Sequence, residues 1–390
     1  MRDLLITVRR AVVRLGFALG SIRSPAPRVV LATSHLPRLT GNLAFIADDL
    51  AVRHPEVPLV RLASRPRGGI AGRVRALLFE MRAGYQLASS QVFIVDDYFF
   101  PLYVIRPRPG TFRLQAWHAA GAFKRFGLSV LDRRFGADEA YVRRVPVHSN
   151  YSVALVSAMA VAPHYAEAFG QPLELFMSSC GIPRTDLFFD ERRRTAALER
   201  VRARCGLPDG RRVILYAPTF RGESVGRARD DGLLDLEVMH RVLGDGTVIL
   251  LRLHPFVAEA VSISPDLASF AIDASTHPDI NELMLVSDLL VTDYSSAIYE
   301  FALLGRPILF LAPDDAAYRD ERGFYLDFPD DLPGPVHATT QSLAEAIAAG
   351  AFDLERVRRF AAASFDVADG RSTERVVDDL VLPALRDDRS

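Results

Sequence analysis

The sequence predicts an α/β protein built from two doubly wound domains that face each other across a cleft. The chain has 390 residues, of which 49% are hydrophobic, so it can bury more than one core. Short apolar segments rich in Val, Ile and Leu alternate with helical stretches, as in parallel sheets covered on both faces. The alternation occurs twice, and a turn and a strongly charged helix separate the two series.

The first predicted element is a basic amphipathic helix within residues 1–24. Its apolar side chains recur at helical spacing, with arginines away from them: Leu5, Val8, Val12, Leu15 and Leu19. Such a helix either lies on an anionic membrane or packs on its own domain, and the sequence leaves both open. Because no small-residue cleavage site follows the apolar stretch, we do not expect a signal peptide.

The first domain is predicted over residues 25–190 and the second over residues 191–390. The strands of the first domain are expected at Arg28–Thr33, Pro58–Leu62, Val92–Val95, Thr111–Trp117 and Val145–His148. Those of the second domain are expected at Arg212–Ala217, Thr247–Leu253, Leu289–Thr292 and Pro307–Leu311. Further helices are expected around Tyr151–Ala162, over Glu191–Cys205, and from Ser342–Phe365 onward, where the chain can return to the first domain.

Charge is distributed unevenly between the two halves. Residues 1–150 carry 23 Lys and Arg against 10 Asp and Glu, whereas residues 151–390 carry 24 against 38. A basic first half favours an anionic partner, such as a membrane surface or a phosphate-bearing substrate, and without interleaved aromatics it does not favour nucleic acid. The two cysteines, Cys180 and Cys205, fit neither a zinc site nor a disulfide framework and indicate a reducing, cytoplasmic compartment.

Three strands of the second domain end in residues suited to bind phosphate. They are Thr292, Asp293, Ser295 and Ser296 after one strand, Thr219 and Arg221 after another, and His254 after a third. A serine at a helix start presents free backbone N–H groups to an anion, arginine binds phosphate bidentately, and histidine can donate to a leaving oxygen. Each residue alone fits an ordinary cap or loop, but together they predict a diphosphate site.

The first domain offers His118 as a candidate general base. It follows an apolar strand and precedes small residues, so its imidazole is expected to face the cleft, although a structural histidine is the alternative. The sequence lacks HExxH, DxD, Walker and strand-linked GxGxxG motifs, so neither a metal nor another cofactor is expected. The adjacent Asp96 and Asp97 are interpreted as loop or helix-cap residues.

In these segments the sequence resembles the CDP-glycerol glycerophosphotransferase family of teichoic-acid primases and polymerases. The resemblance runs in order through Trp117-His118 to Lys124 and Gly127, Ser149–Tyr151, Gly181–Asp186, Tyr216–Arg221, His254-Pro255, Thr292–Ser296, Gly305–Pro307, Asp315, Tyr318, Arg322–Tyr325 and Pro333–Pro335. It implies a GT-B-like fold of two Rossmann-like domains, with the acceptor on the first and the nucleotide donor on the second.

The resemblance also implies an activity and residue roles. The family transfers glycerol phosphate from CDP-glycerol to a hydroxyl of a lipid-linked saccharide acceptor at the cytoplasmic face of the membrane, releasing CMP, which implies a peripheral membrane enzyme. By the resemblance, His118 is the general base, and Arg221, His254, Ser295 and Ser296 hold the diphosphate and stabilise the departing CMP. The remaining cleft residues are expected to be Trp117, Lys124, Asn150 and Arg184.

Two departures from the family pattern favour a primase over a long-chain polymerase. Ala119 stands where the best-known members have glycine, and no large extra N-terminal domain precedes the first sheet. A CDP-ribitol or nucleotide-sugar transferase on the same fold is one alternative. A non-catalytic nucleotide- or polymer-binding protein is another, against which the combination of His118, Arg221 and His254 argues.

Overall fold

The first sheet consists of six parallel strands. The computed structural model describes residues 2–65, 68–131, 138–219, 234–253, 263–313 and 323–385. In the first domain the strands are β1 (Ala26–Thr33), β2 (Leu59–Ala63), β3 (Ser90–Val95), β4 (Phe112–Gln115), β5 (Val153–Leu155) and β6 (Phe176–Met177), in the spatial order β2-β1-β3-β4-β5-β6. Its helices are α1 (Arg2–Gly20), α2 (Gly41–Arg53), α3 (Gly69–Ser89), α4 (Phe100–Tyr103), α5 (Glu139–Arg144) and α6 (Ala162–Phe169), with 3-10 turns at Gly127–Val130, Leu173–Leu175 and Pro183–Phe188.

The second sheet also has six parallel strands. They are β7 (Arg212–Tyr216), β8 (Thr247–Leu251), β9 (Ala271–Asp273), β10 (Leu289–Thr292), β11 (Ile308–Leu311) and β12 (Val336–His337), in the order β12-β11-β10-β7-β8-β9. The described helices are α7 (Glu191–Cys205), α8 (Leu236–Leu243), α9 (Ile280–Val286), α10 (Ala297–Ala302), α11 (Thr340–Ala349), α12 (Leu354–Ser364), α13 (Ser372–Arg375), a π-helix (Val376–Val381) and α14 (Leu382–Ala384), with a 3-10 turn at Pro265–Leu267.

Each sheet buries apolar side chains on both faces. Along β1, Val30 and Ala32 enter one apolar cluster while Val29 and Leu31 enter another on the opposite face, and all four are fully buried. Because side chains alternate across a strand, this pattern requires helices on both sides of the sheet. The predicted α/β class is therefore confirmed.

One stretch of the first domain was predicted wrongly. Val145–His148 is a turn-containing loop rather than a strand, and β5 lies at Val153–Leu155, inside the expected helix Tyr151–Ala162. His148 and Asn150 have φ angles of 58° and 69°, which an extended strand excludes. A three-residue buried strand has the same apolar pattern as a buried helical turn, so the sequence alone does not separate them.

After α12 the chain returns to the first domain. The carboxylate of Asp186 accepts hydrogen bonds from the backbone N–H groups of Ser372 and Thr373, at 2.9 and 2.7 Å. Beyond them, Val376 and Val377 are fully buried in the cluster beneath the first sheet. Residues late in the second half of the sequence thus complete the core of the first domain.

The N-terminal helix α1 packs closely against α3. A Cβ atom at Gly16 would lie 2.0 Å from the carbonyl oxygen of Met81, and one at Gly84 would lie 2.2 Å from that of Val13. Ile6 and Val13 are buried in this contact, whereas the predicted stripe faces outward, with Leu15 and Leu19 half-exposed. The helix therefore packs on its own domain through a different side and leaves the predicted stripe facing outward.

This packing leaves an apolar surface on the two helices. We call it the α1–α3 apolar face, and it consists of Leu4, Leu5, Val8, Leu15 and Leu19 of α1 with Ile70, Val74, Leu78 and Tyr85 of α3. These are nine of the fifteen large hydrophobic side chains that are exposed among the described residues. Such a concentration is unusual, because exposed apolar residues are normally scattered.

Candidate active site

His118 lies just beyond the carboxyl end of β4, with its side chain half-exposed. Its Nδ1 atom is 3.3 Å from the carbonyl oxygen of Asp96 and 3.7 Å from Oδ1 of Asp97, both at the end of the neighbouring strand β3. A carbonyl can only accept, so the Asp96 contact favours the tautomer that carries its proton on Nδ1. The Nε2 atom then keeps its lone pair and can accept a proton.

Several groups act on the pKa of His118. Partial burial lowers it below the usual value, and the positive charge of Arg184 and the ring of His35 lower it further. Asp97 and the hydrogen bond to the Asp96 carbonyl raise it. The lowering effects dominate, so the imidazole is neutral at pH 7, as a general base must be.

The backbone before His118 is held in a rare conformation. Trp117 has a φ of 48°, a region that bulky residues seldom adopt. Asn42, at the start of α2, donates to the carbonyl oxygens of Ala116 and Trp117 at 2.8 and 2.6 Å, and Gln115 accepts from the Trp117 N–H at 2.9 Å. These bonds fix the direction in which the next residue projects.

Aromatic rings support the same loop. The Trp117 ring stacks on Phe126 at 5.6 Å and meets the edge of Phe169 at 5.0 Å. His148 stacks flat on Phe169 at 3.9 Å, and burial lowers its pKa to about 3. His148 is therefore a neutral packing residue, in contrast to the half-exposed His118.

In the second domain, the ends of β7 and β10 are joined through Asp293. Its two carboxylate oxygens accept from the backbone N–H and the hydroxyl of Thr219, at 2.8 and 3.0 Å. Thr292 donates its hydroxyl to the carbonyl of Ala217 at 2.7 Å. Thr219, Thr292 and Asp293 are thus brought together, and the threonine hydroxyls are engaged within the protein.

Ser295 and Ser296 stand at the start of α10, as the sequence predicted. Their two side chains make different contacts there. Ser296 occupies the N-cap position without a side-chain capping bond, while Oγ of Ser295 accepts from the N–H of Ala297 at 3.2 Å. Both side chains are only partly buried. A hydroxyl that makes no capping bond is free to turn toward a ligand.

The two halves meet directly behind these residues. Arg184 of the first domain forms an ion pair with Glu300 on α10, and both side chains are largely removed from solvent. A Cβ at Gly121 would lie 2.2 Å from the ring of Tyr299, which also belongs to α10. The loop that follows His118 therefore rests on the helix that the two serines begin.

Carboxyl groups surround this interdomain ion pair. Burial and the neighbouring Asp97 raise the pKa of Asp96 to about 7, and one of its oxygens has no hydrogen-bond partner. Burial also raises the pKa of Asp279, at the start of α9, while Arg184 opposes that effect. No group of three or more His, Cys, Asp and Glu side chains in the described ranges is arranged to hold a metal ion.

A comparison with known protein families shows which family the chain belongs to. A profile described as CDP-Glycerol:Poly(glycerophosphate) glycerophosphotransferase matches residues 23–382. The chain belongs to this family. The resemblance seen in the motifs is thereby confirmed, and the protein is an enzyme of the glycerophosphotransferase and teichoic acid polymerase family.

Individual relatives agree with the family assignment. The teichoic acid ribitol-phosphate primase of Bacillus spizizenii is 36% identical over 382 residues, which span 97% of both chains. The teichoic acid poly(ribitol-phosphate) polymerase of the same organism is 34% identical over 357 residues, which span 91% of this chain and 56% of the polymerase. A solved variant of the wall teichoic acid polymerase TagF superposes with a TM-score of 0.79 at 21% identity, covering 98% of this chain and 95% of that one, which confirms the GT-B-like fold.

Not every predicted site residue is found beside His118 or at the start of α10. Arg221 and His254 lie outside the described residues, so their predicted roles stay predictions. Asn150 donates its amide to the carbonyls of Leu102 and Ile105, at 2.8 and 3.1 Å, and thus holds a loop. Lys124 lies where the first domain meets the second, and its backbone forms an isolated antiparallel β-bridge with that of Phe324.

Three residues that hold the site in place were not predicted from the sequence. Asp97 was interpreted as a loop or cap residue, although it faces His118, and Asn42 and Glu300 were not considered. Asp97 could have been found, because the carboxyl ends of parallel neighbours lie at one edge of the sheet. Nothing in the sequence marks Asn42 or Glu300, whose partners are distant along the chain.

Proposed function

We propose that this enzyme transfers a polyol phosphate from a CDP-polyol to a hydroxyl of a membrane lipid-linked saccharide acceptor, releasing CMP. The first candidate donor is CDP-glycerol, in keeping with the family description. The product would prime or extend teichoic acid or a related cell-surface polymer at the cytoplasmic face of the membrane. A primase that is 36% identical to this chain supports the primase-like role.

The observation that carries the proposal is the state of His118. Its Nδ1 is directed to the Asp96 carbonyl, its pKa is lowered, and its side chain is half-exposed beside the second domain. In the proposed reaction, Nε2 takes the proton of the acceptor hydroxyl as that oxygen attacks the phosphorus bearing the polyol. The bond between this phosphorus and the bridging oxygen breaks, and CMP leaves.

The second domain would stabilise the charge that develops on the departing CMP. The hydroxyls of Ser295 and Ser296 and the N–H groups at the start of α10 are suited to the diphosphate. Arg221 and His254 are proposed as further phosphate contacts. We expect these protein groups to suffice without a metal or other cofactor.

A second candidate donor is CDP-ribitol. The relative that matches 97% of this chain is a ribitol-phosphate primase, which favours this donor. Both donors present the same cytidine diphosphate, so the groups proposed for the diphosphate serve either one. The choice depends on the pocket for the polyol.

We propose that the enzyme binds its lipid-linked acceptor at the membrane surface. The α1–α3 apolar face offers nine exposed hydrophobic side chains for insertion at the lipid boundary. No helix in the described ranges is both long enough and apolar enough to cross a bilayer. The peripheral attachment that we propose rests on the exposed apolar face.

Release of CMP tests this function. The purified chain is supplied with a lipid-linked saccharide acceptor and, in turn, CDP-glycerol, CDP-ribitol and UDP-N-acetylglucosamine, in the presence of EDTA. We expect acceptor-dependent CMP release with one CDP-polyol, and a loss of at least a hundredfold in His118→Ala, because general-base catalysis contributes about 10²–10⁴-fold. His240→Ala removes a partly exposed histidine of α8 that pairs with Asp245, and it should retain full activity. Equal loss in both variants, or activity with the uridine compound alone, would contradict the proposal.

A further inference from the structure

Three arginines of α1 hold the helix on its own domain. Arg9 donates to Glu80 at 2.7 Å and lies 4.0 Å over the ring of Phe100. Arg14 donates to the carbonyl of Val104 at 3.1 Å, and Arg10 donates to that of Arg144. These contacts fasten the helix to its domain.

A separate set of arginines lies on and beside α3. A pocket of about 320 Å³ between the end of the edge strand β2 and α3 contains Arg61, Ser64, Arg75 and Arg82. We call it the arginine pocket. No Asp or Glu lines it, and within the described part of the chain these three guanidinium groups make no hydrogen bond or ion pair. Three like charges in one concavity repel each other until an anion enters.

The arginine pocket opens beside the α1–α3 apolar face. Arg75, Leu78 and Arg82 follow one another on α3 at intervals of three and four residues, so they share one side of the helix. Leu78 lines the pocket and is also 55% exposed as part of the apolar face. If that face sits at the lipid boundary, the pocket lies at the depth of the headgroups.

We propose that the arginine pocket binds the phosphate of an anionic phospholipid headgroup. Guanidinium groups bind phosphate oxygens bidentately, and the Ser64 hydroxyl adds a donor. The neighbouring apolar side chains accept the first part of the acyl chains, which favours a lipid over free phosphate. The inference rests on the proposed membrane attachment and adds to it a specific site for the anionic lipid.

Vesicle binding tests the pocket. The full chain is sedimented with vesicles of phosphatidylcholine alone or with one third phosphatidylglycerol. Replacing Arg61, Arg75 and Arg82 together by Gln should weaken binding to the anionic vesicles by about a hundredfold, since each basic side chain at such a surface contributes about fivefold. The matched control replaces Arg202, Arg241 and Arg358 of the second domain by Gln, which removes the same charge from paired surface positions. It should bind nearly as tightly as the unchanged chain.

Equal binding by the pocket variant and the unchanged chain would overturn the inference, as would an equal loss in the control variant. Calorimetric titration with inorganic phosphate separates the two sources of the anion. Binding of inorganic phosphate that is lost in the pocket variant, while binding to the anionic vesicles is not, would overturn the lipid assignment. CMP release with a water-soluble acceptor should be unchanged in the pocket variant, whereas failure of the proposed function would abolish it in the unchanged chain.

Discussion

At His118, opposing effects determine where the proton sits. Desolvation and the charge of Arg184 favour the neutral ring, while Asp97 favours the protonated one. Of the groups that face the imidazole, Asp97 and Asp96 come from the end of β3, Arg184 from the turn after β6, and His35 from the loop after β1. Asp97 also lies 3.8 Å from His35, so one carboxylate serves two histidines.

Replacing Asp97 by Asn tests this balance. Loss of the negative charge should lower the pKa of His118, so the acid limb of the pH profile for kcat should move to lower pH. The maximal rate should fall as well, because the ring loses a group that orients it. The measurement is kcat for CMP release between pH 4 and pH 8, and Asp245→Asn on the surface is the control. An acid limb that stays in place would remove Asp97 from the control of His118.

Sequence patterns could locate His118 but not the side chains that position it. An apolar strand followed by His and small residues predicts a histidine at the carboxyl edge of the sheet, and that is where it lies. Asn42 is 74 residues from the Ala116 carbonyl that it binds. Such a contact depends on the packing of α2 against the sheet, which no local pattern encodes.

At the scale of elements, the contact between α1 and α3 depends on glycine. The two backbones approach so closely that Gly16 and Gly84 have no room for a side chain. The polarity pattern predicted an apolar stripe on α1 but left open whether that stripe meets the domain or a membrane, and in the structure the stripe faces outward. Small residues determine which sides meet, and the more apolar side is left exposed.

The variant Gly84→Ala should separate the helices. Its Cβ would collide with the Val13 carbonyl, and overpacking of this kind typically costs about 1–3 kcal/mol. Urea unfolding followed by circular dichroism gives the change in the free energy of unfolding. Gly246→Ala, where a Cβ would meet no atom within 4 Å, is the matched control. Equal stability of the two variants would show that the close approach is not required.

At the scale of the whole molecule, a few buried polar contacts join the two domains. The Arg184–Glu300 pair links the first domain to the helix proposed to bind the donor, and Asp186 holds the returning C-terminal segment. The two sheets and eight of their strands follow from the periodic apolar pattern, whereas β5 was misplaced and the short strands β6, β9 and β12 were not predicted. The partners across the interface do not, because they depend on how the domains meet.

Glu300→Ala should destabilise the chain strongly. It leaves the buried guanidinium of Arg184 without its ion pair, and such a loss costs about 3–5 kcal/mol. The double variant Arg184→Met, Glu300→Leu should recover most of the lost free energy of unfolding, since no charge is left buried. Urea unfolding measures both, and Asp209→Ala, which removes an exposed partner of Arg202, should change little. A similar small change in Glu300→Ala would mean that the pair does not hold the domains together.

The mass of the acceptor after reaction tests the central claim most directly. The purified chain is incubated with a lipid-linked saccharide and the CDP-polyol that supports CMP release, and the acceptor is analysed by mass spectrometry. The account predicts an acceptor heavier by one or a few polyol phosphate units, one CMP for each unit, and no gain with His118→Ala. CMP release with an unchanged acceptor, or an acceptor that gains a sugar, would contradict it.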